Sequence, residues 1–184
     1  VTKLLSSFGE SMISLTGSDS KLRGNFRQIG TGTGRPACTD PNMLNMPKNK
    51  KFRSCFIASQ GYLFVVADYS QMELRIMAQL SKDRAMMESF RQGLDLHSYT
   101  ASLMFNKPIE ECGSDSKERK IAKTINFGVL YGMGPGKLRE TLAAEGIVMT
   151  FPEAKAAIAR WKGTYKHAAK MIEQLGMEAA TLGY

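Results

Sequence analysis

Between Glu118 and Gly132 the chain reads E-R-K-I-A-K-T-I-N-F-G-V-L-Y-G, and two series of residues run through it four apart. That spacing drifts slowly around an α-helix, so each series forms a stripe on one side. Ile121, Ile125 and Val129 make an apolar stripe suited to packing. Arg119, Lys123, Phe127 and Tyr131 fall on roughly the opposite side, two cations followed by two aromatic rings.

The same reading extends to the rest of the chain. Leu4, Leu5, Phe8, Met12 and Leu15 predict a helix over Val1–Leu15, with a turn over Gly17–Ser20. Asp40-Pro41-Asn42 is a turn signal with an Asx cap. The run F-V-V-A over Phe64–Ala67 predicts a short strand ending on Asp68. Ser70–Leu80 then reads as a helix with Met72, Ile76, Met77 and Leu80 on one side, and Ser70 with Glu73 fits a capping box. Helices are expected over Lys82–Gln92, from Leu94 through Met104, and over Lys137–Glu145 up to Gly146. Asn106–Ser116 reads as a loop, with Asp115 and Glu118 as cap candidates for the next helix. Thr150, Pro152 and Glu153 mark a further helix start. Its buried face would carry Ala154, Ile158, Trp161, Tyr165 and Ile172.

Composition narrows the class. At 184 residues and 43% hydrophobic the chain has enough apolar side chains for a packed core. Lys and Arg number 25 against 17 acidic residues, a net charge of +8, which favours a polyanionic partner, nucleic acid first. Lys48, Lys50, Lys51 and Arg53 cluster, either to follow phosphates or as a solvated loop. Cys38, Cys55 and Cys112 are too few for a disulfide framework and lack zinc-ligand spacing, which points to a reduced, intracellular compartment. No apolar run reaches membrane-spanning length. The G-T-G-T-G of Gly30–Gly34 mimics a dinucleotide loop, but no apolar strand leads in and Pro36 stands where the helix should begin. A flexible approach that presents Arg35 is the better reading.

Candidate chemistry follows. The cation and aromatic stripe suits a triphosphate joined to a base and sugar; a solvated amphipathic helix is the alternative. Asp68, at the end of a strand and before a helix, sits at a common metal position, or is a turn residue. Together with the basic charge these features suggest nucleotidyl transfer.

The residues also resemble family A DNA polymerases of the bacterial polymerase I type. Asp68-Tyr69-Ser70-Gln71-Met72-Glu73-Leu74-Arg75 is similar to the family's motif A. Arg119, Lys123, Phe127, Tyr131 and Gly132 are spaced as in motif B. Thr33-Gly34-Arg35, Asp40-Pro41-Asn42 and Asn45 resemble the segment before motif A, and Asp95-Leu96-His97 a further nucleotide-site element. Leu44 stands where the family usually has Gln, and Pro36-Ala37-Cys38 replaces a Leu-Ser-Ser type run.

The resemblance implies an α+β, mostly helical fold: a partial palm with an antiparallel sheet and motif A over residues 1–83, and helical fingers over 84–184. It implies a DNA-directed DNA polymerase with two Mg2+ ions held by Asp68 and the Tyr69 carbonyl. Arg119, Lys123 and His97 would meet the triphosphate, with Lys123 as proton donor to the diphosphate. Gln71 would belong to the nucleotide site, and Glu73 would be the steric gate against a ribose 2′-OH. Phe127 would lie on sugar and base, and Tyr131 with Gly132 near the templating base. Arg35, Asn42 and Asn45 would touch the duplex. The implied partners are primer-template DNA and dNTPs, with no membrane, in a monomeric cytoplasmic protein. Motif C, a His-Asp-Glu hairpin, is not in these residues, so a fragment inactive by itself is expected. A single-subunit RNA polymerase and a non-catalytic nucleic-acid-binding relative are the rival readings.

Overall fold

The computed structural model describes residues 8–47 and 49–183. Val1 to Ser7 of the expected first helix, and Lys48 of the basic cluster, lie outside them. The chain divides into two compact units, Val1–Ala67 and Asp68–Tyr184.

In the first unit, α1 (Glu10–Ser14) is followed by the expected turn, where the Ser20 N–H donates to the Gly17 carbonyl at 2.9 Å. β1 (Asn25–Arg27) and β2 (Ala37–Thr39) pair antiparallel, with Phe26 opposite Cys38. Gly30–Gly34 lies in the loop that joins them and precedes no helix. The Gly30 N–H donates to the Arg35 carbonyl at 3.1 Å, and the Arg35 N–H to Thr31 Oγ1 at 3.0 Å. A 3-10 turn over Met43–Asn45 is capped by Asn42, whose side chain accepts from the Leu44 N–H at 3.1 Å. The short α2 (Lys50–Arg53) is capped by Asn49.

Phe64–Ala67 is not a strand. Its residues run irregular and exposed, with Phe64 at 64% and Val65 at 91% of full exposure. A strand needs a neighbour to take its backbone hydrogen bonds. Among the described residues the only sheet is β1-β2, and it does not include this segment.

The second unit is helical: α3 (Met72–Ser81), α4 (Arg84–Arg91), α5 (Leu96–Phe105), α6 (Lys117–Leu130), α7 (Pro135–Ala144), α8 (Phe151–Thr164) and α9 (Lys166–Leu182). With the β1-β2 ribbon, the chain has the expected α+β, mostly helical character. α5 and α6 are packed together, α8 lies against both, and α3 contacts α4 and α9. The core takes Leu74, Met77, Met86, Leu96, Ile121, Ile125, Val129, Leu138, Leu142, Trp161 and Tyr165. The apolar stripe of α6 is therefore buried as its spacing predicted. Burying such a side chain contributes roughly 1.5–3 kcal/mol, so this stripe decides which way α6 faces.

Three local expectations change. On α3 the buried residues are Leu74, Met77 and Ala78, while Met72, Ile76 and Leu80 are exposed at 45%, 50% and 66%. The position of α4 and α9, not the count of apolar residues, selects the inward face. α3 starts after Gln71, a left-handed residue at φ 55°, with no side-chain cap, so the Ser70–Glu73 capping box does not form. α6 is capped by Ser116, which accepts from the Arg119 N–H at 3.1 Å, in place of Asp115 or Glu118. Glu118 instead pairs with Lys107. The capping box of Thr150 and Glu153 on α8 forms as expected.

Asp83 ties the unit together. It is buried and caps α4 by accepting from the Met86 N–H at 3.3 Å. Its other oxygen accepts from the His167 and Ala168 N–H groups at the start of α9, at 3.1 and 3.3 Å. One carboxylate thus meets the positive ends of two helices.

Candidate functional site

A cleft of about 770 Å³ opens along the outer face of α6. Arg119, Lys123, Phe127 and Tyr131 line it, followed by Gly132, Met133 and Gly134, with Lys137 and Thr141 of α7 opposite. The stripe that packing did not need is therefore the wall of one cavity. Its floor turns sharply at the end of α6. Gly132 is left-handed at φ 74°, and a Cβ on Gly128 would meet Met133 Sδ at 2.5 Å, so a larger residue at 128 would make the Met133 side chain shift from its place over the helix.

The cations are placed differently from one another. Arg119 is partly buried, and its Nε donates to Asp95 Oδ2 at 2.6 Å. Its terminal NH2 groups find no partner among the described residues, which leaves a fork of donors for an anion. Lys123 is exposed and likewise unpaired among the described residues. Lys137 pairs with Glu140 at 3.3 Å.

Asp95 caps α5 by accepting from the Ser98 N–H at 3.1 Å and its hydroxyl at 2.8 Å. Gln71 Nε2 donates to its other oxygen at 2.6 Å. Partial burial works to raise this carboxyl, but hydrogen bonds from Arg119 and Ser98 and the Arg119 charge outweigh it and hold the pKa at about 2. Asp95 thus joins Gln71, the start of α5 and Arg119 in one ionic cluster. Gln71 Oε1 is buried without a hydrogen-bond partner.

His97 is buried, and its ring stands 5.4 Å from the Phe127 ring. Burial first, then the charges of Arg119 and Lys123, push its pKa down to about 4 against the upward pull of Asp95. Its Nδ1 lies 3.0 Å from Asn126 Nδ2. Asn126 is itself fully buried in α6.

The remaining predicted residues fall elsewhere. Asp68 and Tyr69 lie in the exposed stretch before α3, and Glu73 is half-buried on its first turn. Asp68 has no hydrogen-bond or ion-pair partner among the described residues. Arg35, Asn42 and Asn45 belong to the first unit, all exposed, with the Asn42 side chain occupied as a cap.

Reading by stripe found four residues of the cleft wall and missed others. Lys120, Thr124, Lys137 and Thr141 also line the cleft. Asp95 carried a detectable signal, an acid three residues ahead of Ser98 at a helix start, but its bond to Arg119 spans 24 positions. Asn126 carried one too, a polar residue between two buried apolar positions of a helix.

Comparison with known proteins adds four findings. The profile of DNA polymerase family A matches residues 1–184. The chain is 40% identical over 168 residues to "DNA polymerase I, thermostable" of Thermus aquaticus, covering 89% of this chain and 19% of that protein. It is 36% identical over 188 residues to DNA polymerase I of Treponema pallidum (strain Nichols), covering 100% of this chain and 18% of that protein. The chain thus spans about a fifth of the length of these curated relatives. The POL domain of Pol1 from M. smegmatis, solved in complex with DNA primer-template and dNTP, superposes with a TM-score of 0.85 at 30% identity. That likeness covers 100% of this chain and 32% of the solved one.

Proposed function

The chain belongs to DNA polymerase family A, and on that premise we propose that it carries the nucleotide-binding cleft and part of the catalytic surface of a template-directed DNA-dependent DNA polymerase. One observation carries the reading: two cations and two aromatic rings of a single helix, Arg119, Lys123, Phe127 and Tyr131, line one cleft. Phosphates need charge-assisted donors, and a base or sugar needs a flat face, in that order along the wall. The primer-template DNA and dNTP in the M. smegmatis complex support the same two partners here.

The roles follow from the chemistry of each group. The primer 3′-hydroxyl gives up its proton to solvent as its oxygen attacks the α-phosphorus of a dNTP, the α-phosphorus bond to the bridging oxygen breaks, and diphosphate leaves. The Arg119 fork and the neutral His97 imidazole bind the triphosphate. Lys123 adds charge and gives a proton to the departing diphosphate. Phe127 lies against sugar and base, Tyr131 and Gly132 sit near the templating base, and Gln71 steadies Asp95 behind Arg119. Glu73 fills the space of a ribose 2′-OH. Arg35, Asn42 and Asn45 meet the duplex, where minor-groove acceptors are common to all base pairs. Asp68 is an exposed carboxylate with no partner among the described residues, and oxygen donors of this kind suit Mg2+. With the Tyr69 carbonyl it would hold the two ions, which when bound supply charge stabilisation to the transferring phosphoryl group. In this reading residues 1–83 serve as palm and 84–184 as fingers, in a monomer.

The test is primer extension by the protein at the length its gene encodes, with dNTPs and NTPs in parallel and an Asp68→Asn control. Extension with dNTPs alone, lost in the control, supports the proposal. Extension with NTPs moves the protein to the RNA polymerase side. DNA binding without extension by either marks a relative that has lost catalysis.

A further inference from the structure

A buried hydrogen-bond network of Trp161, Asn126, Thr100 and Tyr165 reaches the His97 ring. Trp161 Nε1 lies 2.7 Å from one amide atom of Asn126. An indole N–H only donates, so that atom is Oδ1 and the other is the NH2 group. The NH2 lies 3.0 Å from His97 Nδ1 and 3.1 Å from Thr100 Oγ1. An NH2 only donates, so His97 Nδ1 must accept.

The remaining protons agree. Thr100 Oγ1 is 2.6 Å from the Leu96 carbonyl and 3.3 Å from Asn126 Oδ1, both of which only accept, and the shorter contact takes its single proton. Its lone pairs then receive Asn126 and the Tyr165 hydroxyl, the latter at 2.7 Å. With the Thr100 proton on Leu96, every hydroxyl, indole and amide proton of the network finds an acceptor, and reversing the amide would set N–H against N–H at Trp161. Trp161, Asn126, Thr100 and Tyr165 are all buried, none keeping more than 1% of its full exposure.

We propose that Trp161 and Asn126 are positioning residues that hold His97, which stands behind Phe127 and does not itself line the cleft, as a neutral imidazole with its proton on Nε2, so that an anion reaching that nitrogen meets an uncharged hydrogen-bond donor. The second half rests on the nucleotide reading of His97. No described residue pairs with Nε2. A second proton would have to enter at Nδ1, against the Asn126 N–H. The charges that reach the ring are Asp95 at the start of its own helix and Arg119 and Lys123 on α6. Burial dominates them and keeps the ring neutral through the physiological range. The donor strength of His97 is thereby made independent of pH, where an ordinary histidine would gain charge near pH 6.5.

The test is long-range 1H–15N correlation NMR on the histidine-labelled chain carrying His167→Gln, which removes the other histidine, exposed on α9. Between pH 5 and 8 His97 should show a pyrrole-type Nε2 and a pyridine-type Nδ1, unchanged. A pyrrole-type Nδ1, or a titration midpoint inside that range, overturns the proposal. Asn126→Asp gives Nδ1–H an acceptor, so the midpoint should rise by at least about one pH unit. Trp161→Phe releases the amide and should populate the Nδ1–H form. An Nε2–H pattern unchanged in both variants also overturns it, and the parent titration needs no change to the network. Mg·dATP is then added. Movement of the Nε2–H signal supports the donor role. An immobile signal with the tautomer as expected sinks the nucleotide contact of His97 and leaves the proton placement standing.

Discussion

Arg119 donates its Nε proton to Asp95 across 2.6 Å, and this single bond fixes a residue of the cleft wall to the start of the neighbouring helix. The folded-state pKa of Asp95, about 2, lies below its ordinary 3.8. The carboxylate therefore adds stability above pH 4, and the contribution disappears as the pH falls from about 4 toward 2. Urea unfolding midpoints measured across that window should drop in the parent chain. In Asp95→Asn the same window should be flatter, with a lower midpoint at pH 7.

Asp83→Ala should cost about 2–3 kcal/mol, because it removes a helix cap and strands the part-buried His167 and buried Ala168 N–H groups at the start of α9. For a chain of this size that is a fall of roughly 4–10 °C in Tm by calorimetry. Asp83→Asn keeps one acceptor oxygen and should lose about half as much.

In the buried network the cost of a deletion depends on what is left unpaired. Tyr165→Phe removes one donor, and Thr100 keeps its other partners, so about 1 kcal/mol is expected. Thr100→Val strands both the Tyr165 hydroxyl and an Asn126 N–H, so about 2–4 kcal/mol is expected. Equal losses in denaturant unfolding would contradict the proton assignment.

Glu73→Ala should open space beside the sugar. Under the polymerase reading, NTP incorporation relative to dNTP should rise about 10- to 100-fold in primer extension. An unchanged ratio would remove Glu73 from the gate.

The sequence was most legible where a pattern was local and redundant. Three apolar residues of α6 at one spacing defined its buried side, and the four residues opposite them proved to share a cleft. Thr150 and Glu153 announced a helix start within four positions. Legibility failed where a distant partner decides. α3 carries apolar residues on more than one side, and only the location of α4 and α9 shows that Leu74 and Met77 are the buried ones. Ser116 won the cap of α6 over Asp115 by one residue of register. The Asp95–Arg119 and Asn126–Trp161 bonds span 24 and 35 positions, and no short-range rule reaches that far. F-V-V-A has strand propensity, but propensity supplies no neighbouring strand.

Among the described residues that run pairs with no strand, and such a run favours association between copies of the chain. Tyr62, Leu63, Phe64, Val65 and Val66 are all exposed, in a row, with unsatisfied appetite for a strand on either side. What keeps two molecules apart is the net charge of +8. At 0.15 M salt that repulsion is screened within about 8 Å. Colloidal stability should therefore fall as sodium chloride rises, visible as growing light scattering at fixed protein concentration. A charged residue at Val65 should abolish the salt response.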